Sequence, residues 1–212
     1  MSGNIPTPVY LYRILHYRNL NFILQNGMNC PNCTTMDPEY VNIGNRDISG
    51  KRKNWGFDIE PGGSIHDYVS FYFGPRSPML FSIDRGYSDY SGPQNEIIYI
   101  VTSIPKVIEF GLSFIFTDGH ALMATSNLYN DISHLNKIDW NIIFAEYWND
   151  DPPLYTDRKR KRMAEFLIRG NVPVEAFNGI AVMNEEIKTL VERITKDNDS
   201  KIEIIVKRDW YY

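Results

Sequence analysis

The sequence predicts an α+β fold, because short strand-like and helix-like segments are interspersed without the regular alternation of a doubly wound sheet. Two further observations agree with it. The apolar segments are short and bounded by Gly or Pro, and no internal repeat is visible in the 212 residues. That length suits one well-packed domain over residues 1–212.

Residues 9–15 are β-branched and aromatic with partial alternation, follow Pro6 and Pro8, and read as a strand. Leu20, Ile23 and Leu24 share one face of a short helix that Gly27 ends. From Asn29 to Gly63 no period is sustained, and a long irregular stretch in a compact domain is usually functional or mobile. Within it, residues 44–52 place cations between Gly44 and Gly50. A loop there could wrap a ligand and aim Arg52 at a phosphate or a developing anion; a plain surface loop is the competing reading.

Order returns with an aromatic-rich strand at residues 68–73, and Ser77-Pro78 opens a short helix through Ile83. The clearest strand covers residues 96–102. A helix over 105–110 ends at Gly111, and 113–117 is another strand. Helical spacing through Ile142, Ile143 and Ala145 predicts a helix over 139–148. Pro152-Pro153 breaks the chain, after which Thr156 or Asp157 can cap a basic helix of about two turns. Strands at 164–168 and 179–183, a helix over 185–195 and a last strand at 202–206 complete the chain.

With 26 acidic against 22 basic residues and a net charge of -4, the average field repels phosphate, which excludes a general nucleic-acid coat. Any such site is local. The amino-terminal residues lack the basic-then-apolar pattern of a secretory signal, and no apolar run approaches membrane-spanning length, so a cytoplasmic protein with no membrane partner is expected. Cys30-Pro31-Asn32-Cys33 invites a zinc or thiol-redox reading, but it lacks a second ligand pair and follows a helix end rather than a buried strand. An incidental reduced pair is expected, and His16, His66, His120 and His134 are too scattered to add a metal site. Walker, Rossmann and Gly-x-Ser-x-Gly motifs are absent, which argues against kinase, dehydrogenase and triad-hydrolase chemistry.

Five consecutive cations, Arg158-Lys159-Arg160-Lys161-Arg162, run into an apolar strand interrupted only by Glu165. Such a run can hold phosphates, while a carboxylate on a largely buried strand is rigid enough for chemistry. The competing reading is a solvated helix face beside an edge-strand glutamate.

Taken together, Tyr12-Arg13-Ile14-Leu15-His16, Ile48-Ser49-Gly50-Lys51-Arg52, the block from Gly62 to Phe73 with Arg76-Ser77-Pro78, Thr117-Asp118 with His120, Ala164-Glu165-Phe166-Leu167 and the terminal Trp210-Tyr211-Tyr212 resemble the DarT family of DNA ADP-ribosyltransferase toxins. The resemblance implies an ADP-ribosyltransferase fold, a split central β-sheet with surrounding short helices, related to the poly-ADP-ribose polymerases. It implies transfer of ADP-ribose from NAD+ to thymine in single-stranded DNA, no metal, and a macrodomain antitoxin as partner. An ADP-ribosyltransferase acting on RNA or protein is the alternative, since the fold sets the NAD+ chemistry and a loop sets the target.

Mapped by motif, Arg52 and Glu165 are the expected catalytic pair. Arg13, Ile14, Leu15, Phe22 and Cys30 are expected against NAD+, and Arg76, His120, Lys159 and Arg160 against the DNA acceptor. The resemblance makes residues 35–53 the element that covers NAD+ and residues 117–165 the acceptor loop. Many relatives carry His and Thr where this chain has Arg13 and Leu15, so contacts made there by backbone groups are the ones that survive. With a guanidinium pKa above about 12, Arg52 is read as an electrostatic stabiliser rather than a base.

Overall fold

The computed structural model describes residues 3–212, so Met1 and Ser2 of the amino-terminal segment lie outside the described residues. In chain order the elements are β1 (Tyr10–His16), α1 (Leu20–Asn26), β2 (Met28–Asn29), α2 (Arg46–Lys53), β3 (Tyr68–Tyr72), α3 (Pro78–Asp84), β4 (Ile97–Ser103), α4 (Ile104–Glu109) and β5 (Phe114–Thr117). They continue with β6 (Leu128–Tyr129), α5 (Trp140–Ile143), α6 (Arg158–Arg162), β7 (Glu165–Arg169), β8 (Asn171–Val172), β9 (Gly179–Val182), α7 (Glu185–Asp197) and β10 (Ile204–Val206).

The main sheet has eight strands in the order β10-β9-β4-β1-β3-β7-β5-β6, and β2 pairs with β8 in a small second sheet. Every pair in the main sheet is antiparallel except β10 with β9. β4 occupies the centre of its half because all seven of its residues are buried, leaving no polar face for solvent. The sheet is split between β1 and β3. β1 pairs with β4 along its whole length but meets β3 only at Tyr12 opposite Tyr72.

Side-chain alternation turns that split into a cleft. On one face a continuous core spans both halves through Leu11, Leu15, Phe71, Ile98, Ile100, Phe116, Phe166 and Ile180. On the other face the core is divided. Tyr12, Ile14, Tyr99 and Val101 pack with Tyr211 behind one half, whereas Tyr68, Ile115 and Leu167 pack with Phe57 and Ile65 behind the other. Between these two clusters the strands present Ser70, Tyr72 and Glu165, which share a face with Tyr68 and Leu167 by their spacing.

Local chemistry accounts for the helices. Ser77 accepts from Leu80 N–H at 3.2 Å with Pro78 opening α3, and Asn184 accepts from Ile187 N–H at 2.9 Å above the buried stripe Ile187, Val191 and Thr195 of α7. α1 stops at Gly27, whose φ of 74° lies in the left-handed region.

Four expectations are corrected. Residues 46–53 form a helix rather than a glycine-hinged loop. Asn45 caps it by accepting from Ile48 N–H at 3.0 Å, and Asp47 at one end with Lys51, Arg52 and Lys53 at the other complement its dipole. The helix expected over 139–148 is a single turn, Trp140–Ile143. The basic helix is five residues long, and the Asp157 carboxylate at its N-cap position turns to Arg160 instead of the backbone. Asp150 Oδ1 caps it from outside, accepting from the N–H groups of Arg158 and Lys159 at 2.7 and 3.2 Å. Finally, Cys30 and Cys33 form a disulfide rather than a reduced pair, because the turn closed by Cys33 N–H on Cys30 C=O brings their Cα atoms to 5.3 Å.

Candidate active site

Glu165 is the first residue of β7, an interior strand between β3 and β5, and is 3 % exposed. The edge-strand reading therefore does not hold. Arg52, from the last turn of α2, meets its carboxylate with two parallel hydrogen bonds, Nη1 to Oε1 at 3.0 Å and Nη2 to Oε2 at 2.6 Å. Arg52 Nη2 also donates to Ser70 Oγ at 2.7 Å, and Ala121 N–H donates to Glu165 Oε1 at 3.2 Å. Burial opposes ionisation of Glu165, but the Arg52 charge and hydrogen bonds outweigh it and hold the carboxyl below its usual range. Burial likewise opposes the Arg52 charge, and Glu165 reverses this, raising its pKa. Tyr72, opposite Glu165 on β3, is pushed well up by burial and then by the Glu165 charge.

The loop after β5 closes over this pair. Glu165 N–H donates to Thr117 Oγ1 at 3.1 Å, and Thr117 Oγ1 donates to Gly119 C=O at 2.6 Å. His120 N–H donates to Arg160 C=O at 3.0 Å, and His120 C=O accepts from Ser126 Oγ and Met123 N–H, both at 2.9 Å. A side chain at Gly119 would meet the Arg160 side chain, which would have to shift from its pairing with Asp118 and Asp157 to make room.

Of the residues expected against NAD+, Arg13 reaches into the split and donates to Ser70 C=O at 2.8 Å. The Ile14 and Leu15 side chains belong to the cores on opposite faces; the Leu15 backbone is paired with β4, and that of Ile14 alternates to the side facing the split. Phe22 is half-buried on α1, while Cys30 is buried, locked in its disulfide, and donates its N–H to Gly170 C=O at 3.0 Å.

Among the residues expected against DNA, Arg76 is held at a φ of 54°, a left-handed conformation that costs about 1–2 kcal/mol for a non-glycine residue. Tyr99 Oη accepts its N–H at 3.2 Å, while Tyr212 Oη and Arg162 Nη2 donate to its carbonyl at 2.8 and 3.1 Å. Its guanidinium lies 4.6 Å from the centre of the Tyr212 ring.

The basic run is not a uniform cation face. Arg160 pairs with Asp118 at 2.9 Å and Asp157 at 2.6 Å, and Lys161 pairs with Asp139 at 3.1 Å. Arg162 is 6 % exposed and donates to the carbonyls of Ile142, Ile143, Ala145, Pro75 and Arg76, bracketing the α5 end to the turn after β3. Among the described residues Arg158, Lys159 and Arg162 have no carboxylate partner; of these Arg162 is buried, Arg158 donates to the Tyr147 C=O and lies 4.9 Å from the centre of the Tyr155 ring, and Lys159 is exposed.

Sequence reasoning missed Ser70, Thr117 and Ala121 as supports of the pair, and Arg162 as a bracket. Ser70 carried one signal, a small polar residue in an otherwise aromatic and aliphatic strand. Among the described residues no group of three or more His, Cys, Asp or Glu could hold a metal ion. No helix among them is long and apolar enough to cross a membrane.

A family model described as "ssDNA thymidine ADP-ribosyltransferase, DarT" matches residues 12–212. A DNA ADP-ribosyl transferase of Thermus sp. strain 2.9 is 34% identical over 214 residues, covering 100% of both chains. Another from Escherichia coli O127:H6 is 33% identical over 98% of this chain and 95% of the relative. Among solved structures, Thermus sp. 2.9 DarT in complex with ADP-ribosylated ssDNA superposes with a TM-score of 0.93 at 33% identity over 100% of both chains. The same Thermus protein in complex with NAD+ matches with a TM-score of 0.87 at 33% identity over 99% of this chain and 100% of the other.

Proposed function

The chain belongs to the DarT family of ssDNA thymidine ADP-ribosyltransferases, and from that premise we propose that it transfers ADP-ribose from NAD+ to a thymine base in single-stranded DNA, releasing nicotinamide. The observation that carries this reading is the bidentate Arg52–Glu165 pair, set in the gap between the two core clusters and beside the unpaired edge of β1.

The residues fit the chemistry. The backbone of Ile14, which strand alternation turns from β4 towards the split, can hold the nicotinamide amide by main-chain hydrogen bonds, with Arg13 and Leu15 flanking it. Glu165, ionised and fixed, can accept from a ribose hydroxyl and stabilise the positive charge that grows on the sugar as the glycosidic bond breaks. Arg52 stays protonated and can stabilise the pyrophosphate or the forming thymine anion, with Ser70 and Glu165 fixing its plane. Helix α2 has no buried residue and carries Gly50 in its interior, which costs about 1 kcal/mol relative to Ala. A helix without apolar anchoring, held to the sheet through the Arg52 hydrogen bonds, suits an element that covers NAD+ and moves to admit it. Phe22 and Cys30 complete the proposed NAD+ wall, and Arg76, His120 and Lys159 the acceptor side, with Arg160 holding the acceptor loop together.

By the same reading the chain is one transferase domain, a cytoplasmic toxin whose product is removed by a macrodomain antitoxin. Incubation with NAD+ and a panel of single-stranded DNA, duplex DNA, RNA and protein acceptors tests the target. Label on single-stranded thymine-containing DNA is expected; label confined to RNA or protein would replace DNA as the acceptor.

The two cations without carboxylate partners that are not buried give a separate expectation. Replacing Arg158 and Lys159 by Gln should weaken binding to single-stranded DNA and flatten the slope of log K against log salt by about 1.4, at about 0.7 per lost phosphate contact. A salt titration showing no change of slope would assign these two residues to solvent.

A further inference from the structure

We propose that Asn19 is a positioning residue for NAD+, acting through the segment that covers it. This role rests on the transferase reading above, and it names what sets the covering element over the site.

Asn19 stands at the N-cap position of α1, where an asparagine side chain ordinarily accepts from its own helix, yet it makes no capping bond. It is 1 % exposed and spends both amide atoms on one residue of the covering segment. Asn19 Nδ2 donates to Val41 C=O at 3.0 Å, and Val41 N–H donates to Asn19 Oδ1 at 2.8 Å. Two bonds to one residue fix the Val41 backbone in orientation as well as position. Asn19 is itself tied to the strand that lines the split. The turn Tyr17–Asn19 joins it to the end of β1, where His16 Nδ1 accepts from Arg18 N–H at 3.1 Å, and Leu20 beside it is fully buried.

The covering segment has one firm root, and it lies at this clamp. Of the described residues 34–53 only Ile43 is buried, in one apolar cluster with Leu80 and Ile83. Residues 34–40 are exposed apart from half-buried Asp37, and α2 buries nothing. Hydrogen bonds hold α2 near its ends, from Arg46 N–H to Asp89 Oδ2 at 2.8 Å and from Arg52 to Glu165 and Ser70. From the Asn45 cap to Arg52 the helix runs about 10 Å at about 1.5 Å per residue, so a rotation at its root is magnified at the Arg52 guanidinium. Without the clamp the cover samples placements that do not match NAD+, and the apparent affinity falls by the fraction that remains competent. Once NAD+ is bound and the cover is seated, Arg52 and Glu165 stand as in the wild type, and the chemical step is unchanged.

The test measures transfer to a single-stranded, thymine-containing oligonucleotide against NAD+ concentration for wild type, Asn19→Ala and Asn19→Asp, with amide hydrogen exchange on each protein. Ala removes both bonds, whereas Asp keeps an acceptor for Val41 N–H and sets a carboxylate oxygen against Val41 C=O. The KM for NAD+ is expected to rise about ten- to hundredfold in Asn19→Ala, the usual net worth of two hydrogen bonds, and at least about tenfold in Asn19→Asp. In both variants kcat should stay within about threefold, and the KM for the oligonucleotide within about twofold, of wild type. Exchange should quicken over residues 41–53 and stay unchanged in β4. An unchanged KM for NAD+, an equal rise in the KM for the oligonucleotide, or a fall in kcat alone would each overturn the assignment. Exchange that quickens equally in β4, or failure of both variants to fold, would overturn it too and make Asn19 a residue of the general core. Wild type that transfers nothing to the oligonucleotide would instead overturn the transferase reading itself.

Discussion

Glu165→Gln is expected to lower ADP-ribose transfer by at least about a thousandfold while leaving the strand order intact. The amide has the shape of the carboxylate but not its charge. It can still accept one hydrogen bond from Arg52, yet it offers no negative charge to a sugar that becomes positive as the nicotinamide bond breaks. In a gap that holds the carboxylate at 3 % exposure, that charge is poorly replaced by water. Arg52 also loses its counter-ion. Its side chain is only 17% exposed, and breaking one partner of a buried pair costs on the order of 3–5 kcal/mol. A second hydrogen bond, to Ser70 Oγ, remains and softens that loss. Steady-state transfer and thermal unfolding measured on the same variant separate the two effects; a folded Glu165→Gln protein with wild-type transfer would remove Glu165 from the chemistry.

Arg52 should give the second large effect, graded by substitution. Arg52→Ala leaves a buried Glu165 without the charge that opposes its desolvation, so the Glu165 pKa should rise and a fraction of the carboxyl become neutral near the working pH. Transfer is expected to fall by at least about a thousandfold, with the residual activity displaced towards higher pH. Arg52→Lys keeps a charge but cannot form the two parallel hydrogen bonds and the third to Ser70, and should retain more activity than Ala while falling at least about a hundredfold below wild type. Rate against pH for both variants decides this. If Lys and Ala are equally impaired and neither profile moves, the arginine acts by shape alone and not by charge.

The parts of the fold that follow from one-dimensional pattern were legible. β4 and β7 read as strands because their apolar residues are continuous, and α3, α4 and α7 announce themselves through Ser77-Pro78, Pro105 and an amphipathic stripe. α2 was invisible for a physical reason. None of its residues is buried, so it has no apolar stripe, and its cap Asn45 lies among loop-forming residues. Its own neighbourhood therefore showed Arg52 only as a cation of a loop, either wrapped on a ligand or on the surface, and its place in a catalytic pair came from the resemblance.

Pairing across the sheet was equally hidden. That β1 meets β3 at a single position, and that the second face of the sheet has two cores with a gap between them, depends on which strands neighbour which. No residue type encodes that. The basic run shows the opposite failure. Its composition is plain in the sequence, but the partners that neutralise Arg160 and Lys161 lie as far as 42 residues away, at Asp118 and Asp139. What looked like one patch is an internal ion-pair cluster with Arg158 and Lys159 left over.

The most direct test is to incubate the protein with NAD+ and a single-stranded oligonucleotide containing one thymine, and then locate the added mass atom by atom. One ADP-ribose on the thymine base, attached through N3 and lost in Glu165→Gln, is the predicted result. ADP-ribose on a phosphate or on a base other than thymine, or the same thymine product from the Glu165→Gln protein, would contradict it.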